Sequence, residues 1–461
     1  MLWLHEGGGG ALMTTLVLLG IGLVVAAAGA LVALEVLVRR PEVGVALVLS
    51  VTVVKAALLD RTPSLSLPGG VGVQLHDVVF ALLLVAGIAR FLRMRRLTAP
   101  ERWLLLLGFM LVLSLMRGML AFGGQQSVAE FRLFSPFLST AIYFASFPPS
   151  TIRNDRIGRI WLVLTIPMVV LVCLRWVQNL AGVNLGVPSE EFGADTALRV
   201  INGPYAFFVA TSLMLTIPFW QGRGERARRL RRVGALLLLI VVLLNRRTIW
   251  VALFVGFAVV MLRNKHLGRR AAVMLVAAAI VAVGAFVALD ASDQTPAGKD
   301  ATATNPLSSG TLVWRIQGWS ELLGSWSANP VDWVVGEPFG SGFARNVNGD
   351  QVAATSDAHN FYITTLLRTG VIGVLALVVL IVGLLRSLWR QGPAADAGLL
   401  SPGVFPALLV TQLFWLLTWM PGNEQGIITG LALAMVSARL RGGPSVRVPP
   451  ALPARQGALA R

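Results

Sequence analysis

Residues 357–386 read DAHNFYITTLLRTGVIGVLALVVLIVGLLR, in which a short polar segment ending in His359 and Asn360 gives way to an apolar run interrupted by one charge, Arg368. That run exceeds the ~20 residues a helix needs to cross a hydrocarbon layer about 30 Å thick. It predicts a membrane-spanning helix over 361–386 that begins where a water-facing loop ends. The pattern recurs along the chain, which is 56% apolar and 13% charged with a mean hydropathy of +0.73. Apolar runs centred on 11–34, 43–59, 76–92, 103–120, 130–147, 157–178, 201–219, 233–245, 247–262, 271–289, 361–386, 403–420 and 424–440 predict an all-α polytopic membrane protein with about thirteen spans.

The basic residues sort these spans into an orientation, because short cytoplasmic loops carry excess Lys and Arg. One set of alternate connections, at 39–40, 90–102, 153–159, 223–232, 263–270, 386–390 and from 439 onward, holds 27 of the 39 basic residues. That set is predicted to be cytoplasmic, with the N-terminus outside and the C-terminus inside. The net charge of +17 is then largely a topological signal, which argues against nucleic acid as a partner. The first apolar run is too long, and lacks the preceding basic segment, for a cleavable signal peptide. Cys173 stands alone inside the sixth span, so no intramolecular disulfide is expected.

With this topology, segments 60–75, 121–129, 180–200, 246–247, 290–360 and 421–424 face outward. The chain divides into ten spans over 1–289, a large outer loop at 290–360, three spans over 361–440, and a Pro-, Gly- and Arg-rich cytoplasmic tail at 441–461 that reads as disordered. The loop carries eight acidic and three basic residues. Its first part, to Ser309, is linker-like. Its second part, 309–326, spaces Leu312, Ile316, Trp319, Leu322 and Leu323 as an amphipathic helix lying on or near the outer membrane surface. Pro330 is expected to stop it, and 333–343 to form a turn-rich connector around Gly336, Gly340 and Gly342. Upstream, the apolar run 233–244 amounts to about 18 Å of helix and is followed directly by Asn245-Arg246-Arg247, which predicts a tight hairpin of short helices with two guanidiniums at its tip.

Several other arginines fall near outer helix ends: Arg132, Arg199 and Arg315, with Arg117, Arg175 and Arg345 expected to snorkel to the interface. Permanently charged planar forks around one cavity suit a diphosphate, since guanidinium binds phosphate oxygens in bidentate fashion. His359 can exchange protons near neutral pH. His5, His76 and His266 have no comparable setting, no two histidines share a metal-ligand spacing, and no P-loop, nucleophile elbow or CxxC is present. Neither a metal nor another cofactor is therefore expected. Asp77 is expected to mark the end of the third span.

These elements together resemble the superfamily of O-antigen ligases and Wzy-type O-antigen polymerases. The resemblance is carried over about 195–385 by Arg199 with Asn202-Gly203-Pro204, by Asn245-Arg246-Arg247 where that family often shows Ser-Arg-Gly, by Arg315 with Trp319, by Gly336-Glu-Pro-Phe-Gly-Ser-Gly-Phe, and by His359-Asn360 with Gly370 and Gly373. It implies a metal-independent glycosyltransferase at the outer face of the cytoplasmic membrane. Such an enzyme moves a glycan from an undecaprenyl-diphosphate carrier to a hydroxyl of a glycan or lipid-linked sugar. It further implies that Arg199, Arg246 or Arg247, and Arg315 hold the diphosphate and that His359 acts on the acceptor hydroxyl. Asn360, Gly370 and Gly373 then support the histidine's helix. The doublet leaves open which arginine of the hairpin is functional, and the pattern favours Arg246. Relatives are commonly described with twelve spans, so the first span here reads as an added helix.

Two other classes fit the composition. A flippase for lipid-linked oligosaccharides, or another polysaccharide transporter, would need function on both membrane faces, whereas the polar excursion lies on one. A metal-dependent transferase of another polytopic class would need acidic residues in the first outer loop, where only Asp60 and Asp77 are near.

Overall fold

The computed structural model describes residues 28–59, 61–66, 72–94, 96–188, 200–220, 222, 224–263, 310–347, 350–352, 357–390, 398–401 and 403–442. It is a bundle of helices with two small β-hairpins. The helices are α1 (28–39), α2 (Pro41–Ala57), α3 (Leu75–Leu92), α4 (Ala99–Phe122), α5 (Gly124–Phe131), α6 (Ser135–Ala145), α7 (Asn154–Ala181), α8 (Gly203–Thr216), α9 (Glu225–Leu243) and α10 (Arg247–Arg263). They continue with α11 (Gly310–Ser327), α12 (Pro330–Val335), α13 (Phe361–Trp389), α14 (Phe405–Trp415) and α15 (Asn423–Leu440). Strands β1 (Ser64–Ser66) and β2 (Gly72–Gln74) pair antiparallel, as do β3 (Arg345–Val347) and β4 (Asp350–Val352).

Among the described residues, α3, α4, α7 and α13 are long and apolar enough to cross a membrane. Gly203–Phe219, Thr248–Arg263 and Phe405–Trp415 are apolar but shorter. The predicted span at 271–289, most of that at 11–34, the linker before Ser309 and the tail beyond 442 lie outside the described residues.

Helices that are apolar on every side need partners on every side. α6, α8 and α15 are such helices, buried along almost their whole length. α15 approaches α6 through Gly426 and Gly430, where an added Cβ would lie 2.6 Å from the carbonyl oxygens of Phe137 and Ala141. Small residues four apart let helix backbones meet in this way inside membranes, where lipid tails give no hydrophobic drive to association. By contrast, Val163, Ile166, Val170 and Val177 of α7 and Leu236 and Leu239 of α9 are exposed, as expected of sides turned to acyl chains.

At one end of the bundle the basic residues are tied to neighbouring helices. Arg441, after α15, pairs with Glu101 of α4, Arg226 and Arg159 share Asp155, and the Arg263 guanidinium donates to the Leu388 carbonyl at 2.9 Å. At the other end lie the helix termini that carry the candidate site.

The structure revises several expectations. The 130–147 segment is not one helix: α5 ends at Phe131, and α6 starts only at Ser135, with Pro136 in its first turn. In the 233–262 hairpin the first helix is longer than expected, because the basic stretch from Glu225 is itself helical and α9 reaches 19 residues, about 28 Å, while α10 stays at 17 residues. The hairpin tip is tight, as expected, with Asn245 at φ 49°. Pro330 does more than stop a helix. It sits in the first turn of α12, where a missing N–H costs nothing, and the Asn329 side chain caps that turn. The loop helix exists as α11, yet its apolar side is spent on protein: Leu322 and Trp326 pack with Phe343, Ala358 and Leu367, while Ile316 is exposed.

α13 breaks at Gly370, which holds φ 63° and ψ −167°, a conformation open in practice to glycine alone. The break receives α12 and the turn after it. A Cβ at Gly370 would lie 2.3 Å from the Val334 carbonyl oxygen, and one at Gly336 2.3 Å from the Arg368 carbonyl carbon. Arg368, fully buried, clamps the same loop by ion pairs to Glu130 (3.0 Å) and Glu337 (2.9 Å) and by donating to Ser341 and the Gly342 carbonyl. Removing one member of such a buried network leaves an uncompensated charge, which costs about 3–5 kcal/mol. The 336–342 turn is thereby fixed to the bundle.

Candidate active site

The tetrapeptide Asp357-Ala358-His359-Asn360 joins the loop to α13, and each residue has a structural task. Asn360 caps the helix: its side-chain oxygen accepts the backbone N–H groups of Tyr362 (3.0 Å) and Ile363 (3.1 Å), two donors otherwise orphaned at a helix start. Ala358 is buried, and its carbonyl accepts the Trp319 indole N–H at 2.7 Å, which ties α11 to the cap. Asp357 is buried and closes an Asx turn, with its Oδ1 accepting the His359 backbone N–H at 2.6 Å. His359 itself holds φ 51°, a left-handed conformation unusual for a non-glycine residue and found most often at sites the surroundings over-determine.

The His359 imidazole is one-third exposed. Its Nδ1 lies 2.8 Å from Asp357 Oδ1, at ion-pair distance but off the line of a hydrogen bond. The ring meets Trp419 edge-on, with centroids 5.6 Å apart. Trp419 stacks on Trp415, and Trp415 on Phe207 of α8. This aromatic row leads to the second part of the site. Gly203 lies under it, since a Cβ there would fall 2.9 Å from Trp419. One residue before Asn202, the Ile201 carbonyl accepts a hydrogen bond from the Arg246 guanidinium at 2.8 Å. Arg246 and the Asn202-Gly203-Pro204 stretch therefore come together, and the row of rings connects them to His359.

Arg315 approaches from α11. Burial pushes its guanidinium below the usual range, the Asp357 carboxylate pushes back, and neighbouring Arg345 adds to the lowering. Arg345 in β3 is also buried, and it is lowered by that burial against the upward pull of Asp357 and then Glu321. Its side chain crosses α11 at Gly318, where a Cβ would sit 2.8 Å from it. The charge of one buried carboxylate, Asp357, thus acts on both guanidiniums, and the His359 imidazole lies 2.8 Å from it.

Residues 233–378 match the family model described as O-antigen ligase. The match covers 146 of the 461 residues and marks this stretch as similar to the O-antigen ligase family. That family places it among glycosyltransferase-type enzymes of polysaccharide biosynthesis that work in a membrane on lipid-linked glycans. No curated protein matches the chain closely enough to be called a relative. The matched residues include Arg246, Arg247, Arg315, His359, Asn360, Gly370 and Gly373, and they exclude Arg199 and residues 202–204.

Within and around the O-antigen ligase domain, His359, Asn360 and Arg315 converge, and Arg246 joins them through 201–203 and Trp419. Arg199 lies outside the described residues, as does the side chain of Arg247, whose backbone opens α10. Gly370 serves the seating of α12, while Gly373 leaves room for the Thr369 side chain one turn earlier, which a Cβ would meet at 1.9 Å. Snorkelling does not describe Arg175, Arg345 or Arg117. Arg175 is buried and donates to the carbonyls of Val200 (3.1 Å) and Ala56 (2.8 Å), so it holds the strand of chain that leads to Gly203. Arg117 donates to the Gly336 carbonyl at 2.7 Å. Arg132 is bound to Asp77, which also accepts the Gln74 backbone N–H at 2.9 Å and so starts α3. Sequence reading missed Asp357 and Trp419; an Asp near the end of a loop can accept the backbone N–H two residues on, which was the available signal for the first.

Proposed function

We propose that the chain transfers a glycan from an undecaprenyl-diphosphate carrier to a sugar hydroxyl at the outer face of the cytoplasmic membrane, as a polymerase or a ligase. The observation that carries this reading is the convergence, in and beside the O-antigen ligase domain, of His359 with Arg315 and, through the Trp419 row, with Arg246. Thirteen spans with the N-terminus outside put that end of the bundle in the extracytoplasmic space. The clustering of arginines at the opposite helix ends supports this orientation.

The chemistry follows from where charge develops. The acceptor oxygen attacks the anomeric carbon while the bond from that carbon to the diphosphate oxygen breaks, and the electron pair leaves with the diphosphate. Fixed guanidiniums lower the energy of that growing negative charge, which is the largest single lever available to a site of this kind. Arg246 or Arg247, Arg315 and Arg199 are assigned this role. His359 takes the acceptor proton, since a hydroxyl is a weak nucleophile until a positioned base relieves it of its proton.

Purified protein is expected to convert a lipid-diphosphate-linked repeat into longer chains with no added acceptor if it is a polymerase. It is expected to need an added sugar-lipid acceptor if it is a ligase. Both activities should survive a chelator. Absence of product under both conditions, or its loss on chelation, would count against the reading.

A further inference from the structure

The His359 imidazole has two nitrogens, and only one can face a substrate. Asp357 Oδ1 lies 2.8 Å from Nδ1, and the same oxygen accepts the His359 backbone N–H at 2.6 Å, so one carboxylate holds the residue's backbone and lies at ion-pair distance from its ring. The turn is locked from behind by the bond between Trp319 and the Ala358 carbonyl at 2.7 Å. Asp357 itself is buried, and its charge acts on Arg315 of α11 and on Arg345 of β3. A carboxylate taken out of water this far is costly unless paired. Here the imidazole lies at ion-pair distance from it, and its charge acts on Arg315 and Arg345 nearby.

We propose that Asp357 is a positioning residue of the transfer site, turning the His359 imidazole so that Nε2 meets the acceptor hydroxyl and keeping Arg315 and Arg345 beside it. This rests on the transferase reading and adds to it a residue, a tautomer and a second cation. In the step, the acceptor O–H proton passes to Nε2, the new bond to the anomeric carbon forms, and the bond to the diphosphate oxygen breaks with its electron pair. The imidazolium so produced faces the Asp357 carboxylate, which stabilises it without taking the proton. Arg345 belongs to the same frame: its side chain crosses α11 where Gly318 leaves the helix bare. Its burial makes it a structural member of the cation pair rather than a surface charge.

The test uses the purified full-length protein and a lipid-diphosphate-linked glycan donor. Wild-type transfer is scored first in the same preparation, so a failure of the functional reading shows there, while a failure of the role of Asp357 shows only in the variants. Asp357→Asn keeps the oxygen that closes the turn and removes the charge. It is expected to lower kcat on the order of 100-fold with little change in the KM for donor. Asp357→Glu is expected to retain more activity than Asp357→Asn, because it keeps the charge. In a His359→Ala background, Asp357→Asn is expected to add little further loss, since residues that act as one unit are far from additive. Wild-type kcat in Asp357→Asn would overturn the proposal, as would Asn equalling or exceeding Glu. So would a full, independent loss on top of His359→Ala, the result a merely structural role would give.

Discussion

His359→Ala is expected to cut transfer sharply while the protein still accumulates and elutes as the wild type does. The expected loss is about 10²–10⁴-fold in kcat, the range a positioned base contributes. The change is structurally mild. His359 is only partly buried, the Asx turn depends on its backbone N–H rather than its ring, and the cap of α13 belongs to Asn360. The substitution leaves the backbone φ of 51° to an alanine, which tolerates it no better than histidine, and what it removes is the imidazole at this end of the aromatic row. Product formed at the wild-type rate, measured as glycan chain length or ligated product on a gel, would sink the assignment of His359 as base.

Arg246→Ala and Arg247→Ala, made separately, are expected to be unequal. Arg246 reaches the Ile201 carbonyl beside the Asn202-Gly203-Pro204 stretch, and so lies where that stretch, Trp419 and His359 converge. Its loss removes a cation aimed at the leaving diphosphate, and the expected fall in kcat is on the order of 10²–10³-fold, as for removal of one donor to a developing oxyanion. Arg246→Lys should restore little, because a compact ammonium cannot reproduce a planar fork that binds phosphate oxygens two at a time. Arg247→Ala is expected to be milder. Wild-type rates in both variants would dismiss the clamp, and a deeper loss in Arg247→Ala would move it by one residue.

The apolar runs made the helices legible, because the length needed to cross a bilayer is a strong and local constraint. They did not show which helices face lipid and which face protein. α6 and α15 read as ordinary spans, but an acyl chain and a neighbouring helix are equally apolar, so hydropathy alone cannot separate them. Gly426 and Gly430 were the clue, four residues apart on α15. The break at Gly370 was hidden for a related reason: its φ is dictated by α12 docking against it, a contact between segments some 35 residues apart.

In the site, His359, Asn360 and Arg315 with Trp319 stood out as residue types at a loop-to-membrane boundary. Asp357 did not, being one of eight acids in a polar loop, until its side chain was seen closing a turn on the histidine. Arg175 and Arg345 were read as interfacial because a sequence gives a charge its position along the chain and not its depth. Both are buried, and each holds a segment that the site depends on.

The central claim is that a glycan leaves its lipid diphosphate for a hydroxyl, and the most direct measurement is the identity of the lipid that is left behind. Purified protein would be incubated with a lipid-diphosphate-linked glycan and the spent lipid identified by mass spectrometry. The expected result is intact lipid diphosphate, released one for one with each new glycosidic bond and missing in His359→Ala. Lipid monophosphate as the product would contradict it, because the bond broken would then lie within the diphosphate. Donor recovered whole, merely moved across the bilayer of a proteoliposome, would contradict it as well and make the chain a transporter.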